Sequence, residues 1–207
     1  MLRIDHVVRA VRDLDDAADR WEREHGLSSI PGGVHPRWGT ANRILPMGRD
    51  YLELMTVVDR DTAASTVLGR ALLDLTTAGG AWFAFCVADD AIDATAARLA
   101  MEVTPGSRER PDGSVVSWRG AGIEDPRRTL DLPFFIAWDG PPDQHPGATR
   151  ITHTSGASGI AWVEIAGDPD RLAAWTGGAG LPVRFVPGDP PGIRRVGLAS
   201  PAGQIVL

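Results

Sequence analysis

Lysine is absent from this 207-residue chain, and all 21 of its basic residues are arginines. A Schiff-base lysine, a lysine general base and the lysine of a phosphate-binding loop are therefore excluded. Cys86 is the only cysteine, which excludes disulfides within the chain, and its apolar neighbours A-W-F-A-F-C-V predict a buried, unreactive thiol. No signal peptide and no run of about 18 apolar residues occurs, so we expect a cytoplasmic protein that does not enter a membrane.

The charge balance also narrows the function. The net charge is -6, the pI is about 5.3 and no basic stripe occurs, so we expect no nucleic-acid partner. The motifs G-x-S-x-G, G-x-G-x-x-G and C-x-x-C are missing. A Ser–His–Asp triad is assembled in space, so the lack of a local motif leaves that chemistry open.

A weak internal repeat organises the chain. The first copy spans residues 1–58, with a strand at Arg3–Val11 and a helix at Asp13–His25 that Asp13 caps. The second copy spans residues 80–139, and a shorter third copy spans 151–207. The repeated order of one strand, one helix and three strands predicts an α+β fold with mostly antiparallel sheets.

Two details of the connections can be predicted as well. Between the first two copies, the pattern predicts one helix at Ala64–Leu75. Within the second copy, Pro111–Gly113 is typical of a turn that joins two strands.

Two polar residues lie within apolar strand segments. His6 occurs in L-R-I-D-H-V-V-R-A-V, and alternation places it on one face with Ile4 and Val8. Glu53 occurs in D-Y-L-E-L-M-T-V-V, on one face with Tyr51. A buried imidazole or carboxylate needs a partner, and a divalent metal satisfies both kinds of group.

Four segments together resemble a known family. They are I-D-H-V-V, G-G-V-H-P-R-W-G-T-A-N-R-I-L, Y-L-E-L, and L-P-F-F-I-A-W-D followed by His145-Pro146. The repeated module with these segments resembles the glyoxalase-like domain group of the vicinal oxygen chelate superfamily, over roughly residues 1–150. The resemblance implies that two βαβββ modules pair and that their curved sheets enclose a cleft.

The resemblance also implies where metal ligands lie, on the first and last strands of each module. His6 and Glu53 are the ligands that the first module supplies. In the second module the matching positions fall near Trp82 and near Phe135 or Ile136, none of which binds a metal. The third copy offers Ile160 and Val206, which also fail. The implied site is therefore half of a four-ligand metal centre.

Further residues are candidates for the cleft. His35 lies in a loop flanked by Gly and Pro and would complete a two-histidine, one-carboxylate set. Thr40 and Asn42 alternate along one strand and offer hydrogen bonds to a ligand, while Trp82 and Trp118 offer an apolar pocket wall.

The resemblance leaves three functions open. The first is a metal-dependent lyase, isomerase or dioxygenase acting on a small molecule with two adjacent oxygens, in which His6 is a ligand and Glu53 a ligand or base. The metal is unidentified. The second is a metal-free protein that binds a small molecule, and the third is a scaffold or regulatory subunit. We also predict a homodimer, because a third copy leaves a sheet edge unpaired, and we expect His145 and His153 to be surface-loop residues.

Overall fold

The computed structural model of the protein describes residues 1–110 and 113–207, and these form twelve strands and five α-helices. The strands are β1 (Arg3–Ala10), β2 (Ile30–His35), β3 (Thr40–Pro46), β4 (Tyr51–Val57), β5 (Trp82–Ala88), β6 (Val103–Glu109), β7 (Val115–Ala121), β8 (Phe134–Trp138), β9 (Gly159–Ala166), β10 (Val183–Val186), β11 (Gly192–Ser200) and β12 (Gly203–Val206). The helices are α1 (Leu14–His25), α2 (Arg60–Ser65), α3 (Val67–Thr77), α4 (Ile92–Leu99) and α5 (Pro169–Thr176).

The first eight strands form one curved sheet in the order β2-β3-β4-β1-β5-β8-β7-β6. Strands β1–β4 lie within residues 1–58 and β5–β8 within residues 80–139, and the halves join where β1 and β5 pair antiparallel. At the far edges, a Cβ added to Gly33 of β2 would lie 2.9 Å from the carbonyl oxygen of Glu109 in β6. The sheet therefore nearly closes around a cleft, which confirms the expected α+β fold.

Helix α1 shows how local sequence sets these elements. Its N-cap residue Asp13 accepts hydrogen bonds from the backbone nitrogens of Asp15 and Asp16, and Gly26 ends the helix at φ 62°. Trp21 is buried on the face that packs against the sheet. The predicted helix is thus confirmed, with its cap and its stop.

The two faces of the large sheet carry separate apolar clusters. Val7 and Phe85 belong to the outer cluster, together with residues of α1 and of the third unit. Val8 and Phe134 belong to the inner cluster, which lies on the side of the cleft. Helices α1 and α4 and the third unit therefore cover the outer face, whereas Leu68 and Leu72 of α3 pack in the inner cluster beside the site.

The third unit has the predicted element order but a different topology. Its sheet has the order β10-β9-β11-β12, and β10 runs parallel to β9 because α5 returns the chain beside it. In each half of the large sheet, by contrast, the last strand pairs with the first. The third unit therefore has the element order of the predicted shorter module but not the strand order of the two halves, since the order of elements does not specify the order of strands in a sheet.

The third unit packs on the outer face of the large sheet. Trp175 Nε1 donates a hydrogen bond to the carbonyl oxygen of Pro133 at 2.8 Å, and Ile160 N donates one to Asp50 Oδ1 at 3.0 Å. The homodimer and the cytoplasmic location stay predictions. Within the described residues, no helix has the length and apolar character needed to cross a membrane.

The connections differ in detail from the predictions. Residues 60–77 form two helices instead of one, because Thr66 begins a second helix and accepts a hydrogen bond from the backbone nitrogen of Gly69. The predicted turn at Pro111–Gly113 includes residues 111 and 112, which lie outside the described residues.

Candidate functional site

The concave face of the eight-stranded sheet encloses a small cavity of about 50 Å³. Side chains from both halves of the sheet line it, and most are aromatic or aliphatic. The polar lining residues are His6, His35, Asn42, Tyr51, Glu53 and Arg108, together with the indole nitrogens of Trp38, Trp118 and Trp138. A wider pocket continues from it past Trp38 and Trp118 toward solvent.

His6 and Glu53 meet in this cavity. Strands β1 and β4 pair in parallel, with His6 opposite Tyr51 and Val8 opposite Glu53. His6 Nε2 lies 3.6 Å from Glu53 Oε2, and each residue is only 4% exposed. Two ligands bound to one ion at about 2.1 Å each lie about this far apart, so the spacing is compatible with a shared ion.

A bulge in β1 positions His6. Ile4 pairs with Val87 and His6 with Cys86, which leaves Asp5 as the extra residue in β1. Ile4 consequently packs in the outer cluster with Val7, so the prediction that Ile4 shares a face with His6 is wrong.

Asp5 is fully buried and receives hydrogen bonds from several donors. Its carboxylate lies 2.8 Å from His6 Nδ1 and 3.1 Å from both His145 Nε2 and Trp138 Nε1. Burial by itself would raise the pKa of Asp5, but hydrogen bonds and charge interactions with His145 and His6 outweigh it and hold the pKa well below its usual value. Asp5 is therefore ionised, and His6 donates from Nδ1 to it.

This hydrogen bond fixes the chemistry of the other ring nitrogen. With its proton on Nδ1, a neutral His6 presents the lone pair of Nε2 to Glu53. A lone pair and a carboxylate oxygen at 3.6 Å repel unless a proton or a cation lies between them. The pair is thus arranged to hold a positive species.

Asn42 holds the second oxygen of Glu53. Asn42 lies on the neighbouring strand β3, and its Nδ2 donates to Glu53 Oε1 at 2.5 Å. Tyr51 stacks on the His6 ring with centroids 4.5 Å apart. Burial, followed by the charge of Glu53, raises the pKa of Tyr51 well above its usual value, so its hydroxyl keeps its proton. The side chains of His6 and Glu53 therefore have fixed orientations.

His35 lines the same cavity without joining this pair. Its Nδ1 lies 3.2 Å from the hydroxyl of Thr40, and burial lowers its pKa, which favours the neutral ring. Thr40 is fully buried and supports His35, while Asn42 faces the cavity. The three-ligand set with His6 and Glu53 remains a prediction, and the fold brings only His6 and Glu53 within bonding distance of one ion.

Among the described residues, one group of three has potential ligand atoms within 4.8 Å of one another, namely Asp5, His6 and Cys86. Asp5 already accepts hydrogen bonds on both oxygens. Burial raises the pKa of Cys86 well above its usual value, so the sulfur keeps its proton, whereas a metal binds the thiolate. This group does not fit a metal, while the facing atoms of His6 and Glu53 do.

The second half of the sheet supplies no matching ligands. Phe83 is the extra residue in β5, as Asp5 is in β1, so the position that corresponds to His6 is Ala84. Cys86 pairs with Phe134 as Val8 pairs with Glu53, so Phe134 corresponds to Glu53. The predicted positions near Trp82 and at Phe135 or Ile136 were off by up to two residues, because the bulge shifts the register.

The two predicted tryptophans have different places. Trp118 lines the cavity and lies near Trp138, with ring centroids 5.6 Å apart. Trp82 packs on the opposite face of the sheet, against Trp21 of α1 and beneath Arg9. Assigning Trp82 to the pocket is therefore wrong, and the same bulge explains the error.

Four buried polar residues were missed from the sequence, namely Asp5, His145, His153 and Arg108. Asp5 is adjacent to His6, and its role depends on the bulge. His145 and His153 are buried, so the expectation that they lie in surface loops is wrong. His145 contacts Asp5, and His153 accepts from Ser28 N and donates to the carbonyl oxygen of Pro46. Arg108 reaches the cavity from β6 and had no sequence signal beyond its place in a strand.

Comparison with known proteins identifies the family. Residues 4–179 match the family model described as a glyoxalase-like domain. The chain therefore belongs to the glyoxalase-like domain family. No curated protein matches the sequence.

One solved structure supports the fold, and two further structures match about two thirds of the chain. A hypothetical protein from Staphylococcus aureus is 17% identical, with a TM-score of 0.69 over 100% of this chain and 84% of that chain. A methylmalonyl-CoA epimerase variant from Streptomyces coelicolor, in complex with 2-nitronate-propionyl-CoA, is 19% identical, with a TM-score of 0.48 over 67% of this chain and 98% of that one. Methylmalonyl-CoA epimerase from Mycobacterium tuberculosis is 16% identical, with a TM-score of 0.45 over 66% of this chain and 86% of that one.

Proposed function

We propose that this protein is a small-molecule enzyme whose reaction centre is the pair His6 and Glu53. Its substrate carries two adjacent oxygens, and Glu53 removes or returns a proton next to them. His6 and Glu53 would hold a divalent metal, which supplies Lewis acidity toward the substrate oxygens and stabilises enolate charge.

The observation that carries this proposal is the approach of His6 Nε2 to Glu53 Oε2 at 3.6 Å inside a buried cavity. Burying these two polar groups is unfavourable unless a proton, a cation or a ligand satisfies them. The hydrogen bond from His6 Nδ1 to Asp5 matches the way that carboxylates orient metal-binding histidines and raise their basicity.

The remaining residues of the centre position Glu53 and exclude water. Asn42 occupies Oε1 of Glu53, which leaves Oε2 to face His6, where it would hold the metal or, when it detaches from the metal, exchange a proton with the substrate. Phe134 lies edge-on to the His6 ring, with centroids 5.5 Å apart, and closes the opposite side. A proton held at Glu53 Oε2 is thus transferred in an environment of low dielectric constant.

A second function is favoured by the second half of the sheet. Ala84 and Phe134 stand where ligands would complete a four-ligand centre, and stable metal sites usually have three or four protein ligands. Under this alternative the protein binds a small aromatic molecule without metal, and Glu53 and His6 share a proton.

Metal analysis of untagged protein separates the two functions. We expect about one equivalent of a transition metal in the wild type, and its loss in His6→Ala and Glu53→Gln. His25→Ala is the matched control, because His25 lies at the end of α1 beside Trp21 on the outer face. Added Zn²⁺, Ni²⁺, Mn²⁺ or Fe²⁺ should raise the melting temperature of metal-stripped wild type and of the control, but not of the two cavity variants.

The opposite result is equally clear. Wild-type protein that contains no metal, is not stabilised by any of these ions and still binds an aromatic ligand would contradict the metal-dependent enzyme and support the binding protein.

A further inference from the structure

Arg108 brings a buried positive charge into the cavity from the second half of the sheet. The residue is 7% exposed, and its Nη1 has no hydrogen-bond partner. No carboxylate of the described residues lies within ion-pair distance of it. A cationic nitrogen that is buried without a partner is unfavourable, because it has lost water and gained no acceptor.

Gly32 of β2 makes room beside this guanidinium. A Cβ added to Gly32 would collide with Asn42 Oδ1 and with Arg108 Nη1. Both atoms therefore lie against the backbone of Gly32, where the edge strands β2 and β6 approach each other. Asn42 Oδ1 also lacks a partner, since Asn42 donates to Glu53 through its other side-chain atom.

Unpaired polar atoms are concentrated in this cavity. Five buried side-chain polar atoms of the described residues lack a partner, and three of them, on Trp38, Asn42 and Arg108, belong to residues that line it. Native proteins leave few such atoms unsatisfied, and a bound ligand is one reason for those that remain. Two of the three atoms are donors, one of them cationic, and the third is an acceptor.

Arg108 lies in the same cavity as the proposed reaction centre. Arg108, Asn42, His6 and Glu53 all line this cavity. Asn42 donates to Glu53 through Nδ2 and presents Oδ1 to the backbone of Gly32 beside Arg108. A small molecule bound to Arg108 therefore has His6 and Glu53 within reach of its other atoms.

We propose that the cavity binds a small 2-hydroxy carboxylate, whose carboxylate pairs with Arg108 Nη1 and whose hydroxyl donates to Asn42 Oδ1. This rests on the proposed function and names its substrate class, because a carboxylate and a neighbouring hydroxyl are adjacent oxygens. One guanidinium balances one carboxylate, whereas a phosphate dianion would leave a buried negative charge. The aromatic walls at Trp118 and Phe134 favour an aromatic or apolar substituent.

Binding of mandelate, measured by calorimetry with a chelator present, tests this assignment without any metal. Mandelate should bind wild type, and mandelamide, which lacks the charge, should bind about tenfold more weakly or worse. Phenylacetate, which lacks the hydroxyl, should also bind more weakly than mandelate. Inorganic phosphate should not compete with mandelate.

Variants assign the effect to Arg108. Arg108→Met should weaken the binding of mandelate about tenfold or more and remove the preference for mandelate over mandelamide. Arg108→Lys should keep that preference. Arg20→Met, at an exposed position of α1, removes the same charge outside the cavity and should change nothing. Gly32→Ala should prevent the binding of mandelate, because the added Cβ collides with Asn42 Oδ1 and Arg108 Nη1, while every charge in the cavity is kept.

Several results would overturn the assignment. They are the absence of mandelate binding to folded wild type, equal binding of mandelate and mandelamide, and an Arg108→Met variant that keeps the preference. Glu53→Gln distinguishes this proposal from the proposed function. If metal binding fails but the preference for mandelate persists in wild type and in Glu53→Gln, only the metal-dependent enzyme is contradicted.

Discussion

The two halves of the eight-stranded sheet have the same strand order but place different side chains in the cleft. Each half also has one extra residue in its central strand, Asp5 in β1 and Phe83 in β5. The residue after each bulge is His6 in the first half and Ala84 in the second. The halves therefore share a backbone design and differ in chemistry.

The difference shows how one scaffold divides two tasks. The first half supplies ionisable groups and the neighbours that orient them. The second half supplies an apolar wall, which lowers the local dielectric constant and strengthens the interactions of the first. Arg108 is the exception in the second half, since it brings a charge to the cavity. The asymmetry is what a site needs when the substrate itself provides the missing polar groups.

The largest expected effect comes from removing Asp5, the residue on which the first half depends. Asp5→Ala leaves His6, His145 and Trp138 without a shared acceptor, and we expect the free energy of unfolding to fall by about 3 kcal/mol or more. Urea unfolding at neutral pH measures it.

Asp90→Ala is the control for this prediction. Asp90 is exposed and contacts only the amino terminus, so its removal should change the unfolding free energy by less than about 1 kcal/mol. Equal losses in the two variants would contradict the special role of Asp5.

A smaller effect is expected at Asp50, a half-buried carboxylate of the same half. Asp5 has histidine donors and a lowered pKa, whereas burial raises the pKa of Asp50 to about 6. Because the folded state binds this proton more tightly than the unfolded chain, Asp50 contributes stability below about pH 4 that is lost as pH rises through about 6. Asp50→Asn keeps an acceptor for Ile160 N. It should remove the fall in unfolding free energy with rising pH that Asp50 causes, which is at most about 3 kcal/mol.

The measurement is urea unfolding of wild type and Asp50→Asn at several pH values between 4 and 7. The exposed Asp143→Asn is the control and should follow the wild-type curve. If Asp50→Asn also follows that curve, burial does not raise the pKa of Asp50 as inferred.

The sequence was sufficient for features that depend on neighbouring residues. The resemblance of I-D-H-V-V and Y-L-E-L to the glyoxalase-like group was enough to expect that His6 and Glu53 face one site, and the Asp13 cap and Gly26 stop set the limits of α1. The two matching halves follow from the same local patterns. Each of these features is encoded within about ten consecutive residues.

Features that depend on distant contacts were not predictable in this way. A bulge inserts one residue without a composition signal. The bulge at Asp5 places Ile4 on the outer face, and the bulge at Phe83 places Trp82 there. His145 becomes buried only because the segment after β8 returns to Asp5, 140 residues earlier in the chain. The different sheet order of the third unit likewise depends on where α5 packs.

The smallest expected effect concerns the apolar wall of the second half. The ring of Trp118 lies over Gly106 on the neighbouring strand, where an added Cβ would collide with it. Trp118→Ala should lower the affinity for mandelate by roughly tenfold, because contact with the phenyl ring of mandelate is lost. Binding of lactate, which has the same carboxylate and hydroxyl without the ring, should not change, and neither should metal content.

The chain offers a matched control for this substitution. Trp162 lies over Gly197 in the four-stranded sheet in the same arrangement, away from the cleft. Trp162→Ala should leave mandelate affinity unchanged at temperatures where the variant is folded. If Trp118→Ala lowered the affinities for mandelate and lactate equally, Trp118 would act on the polar groups of the first half and not on the substituent of the substrate. That result would contradict the assignment of substituent binding to the second half.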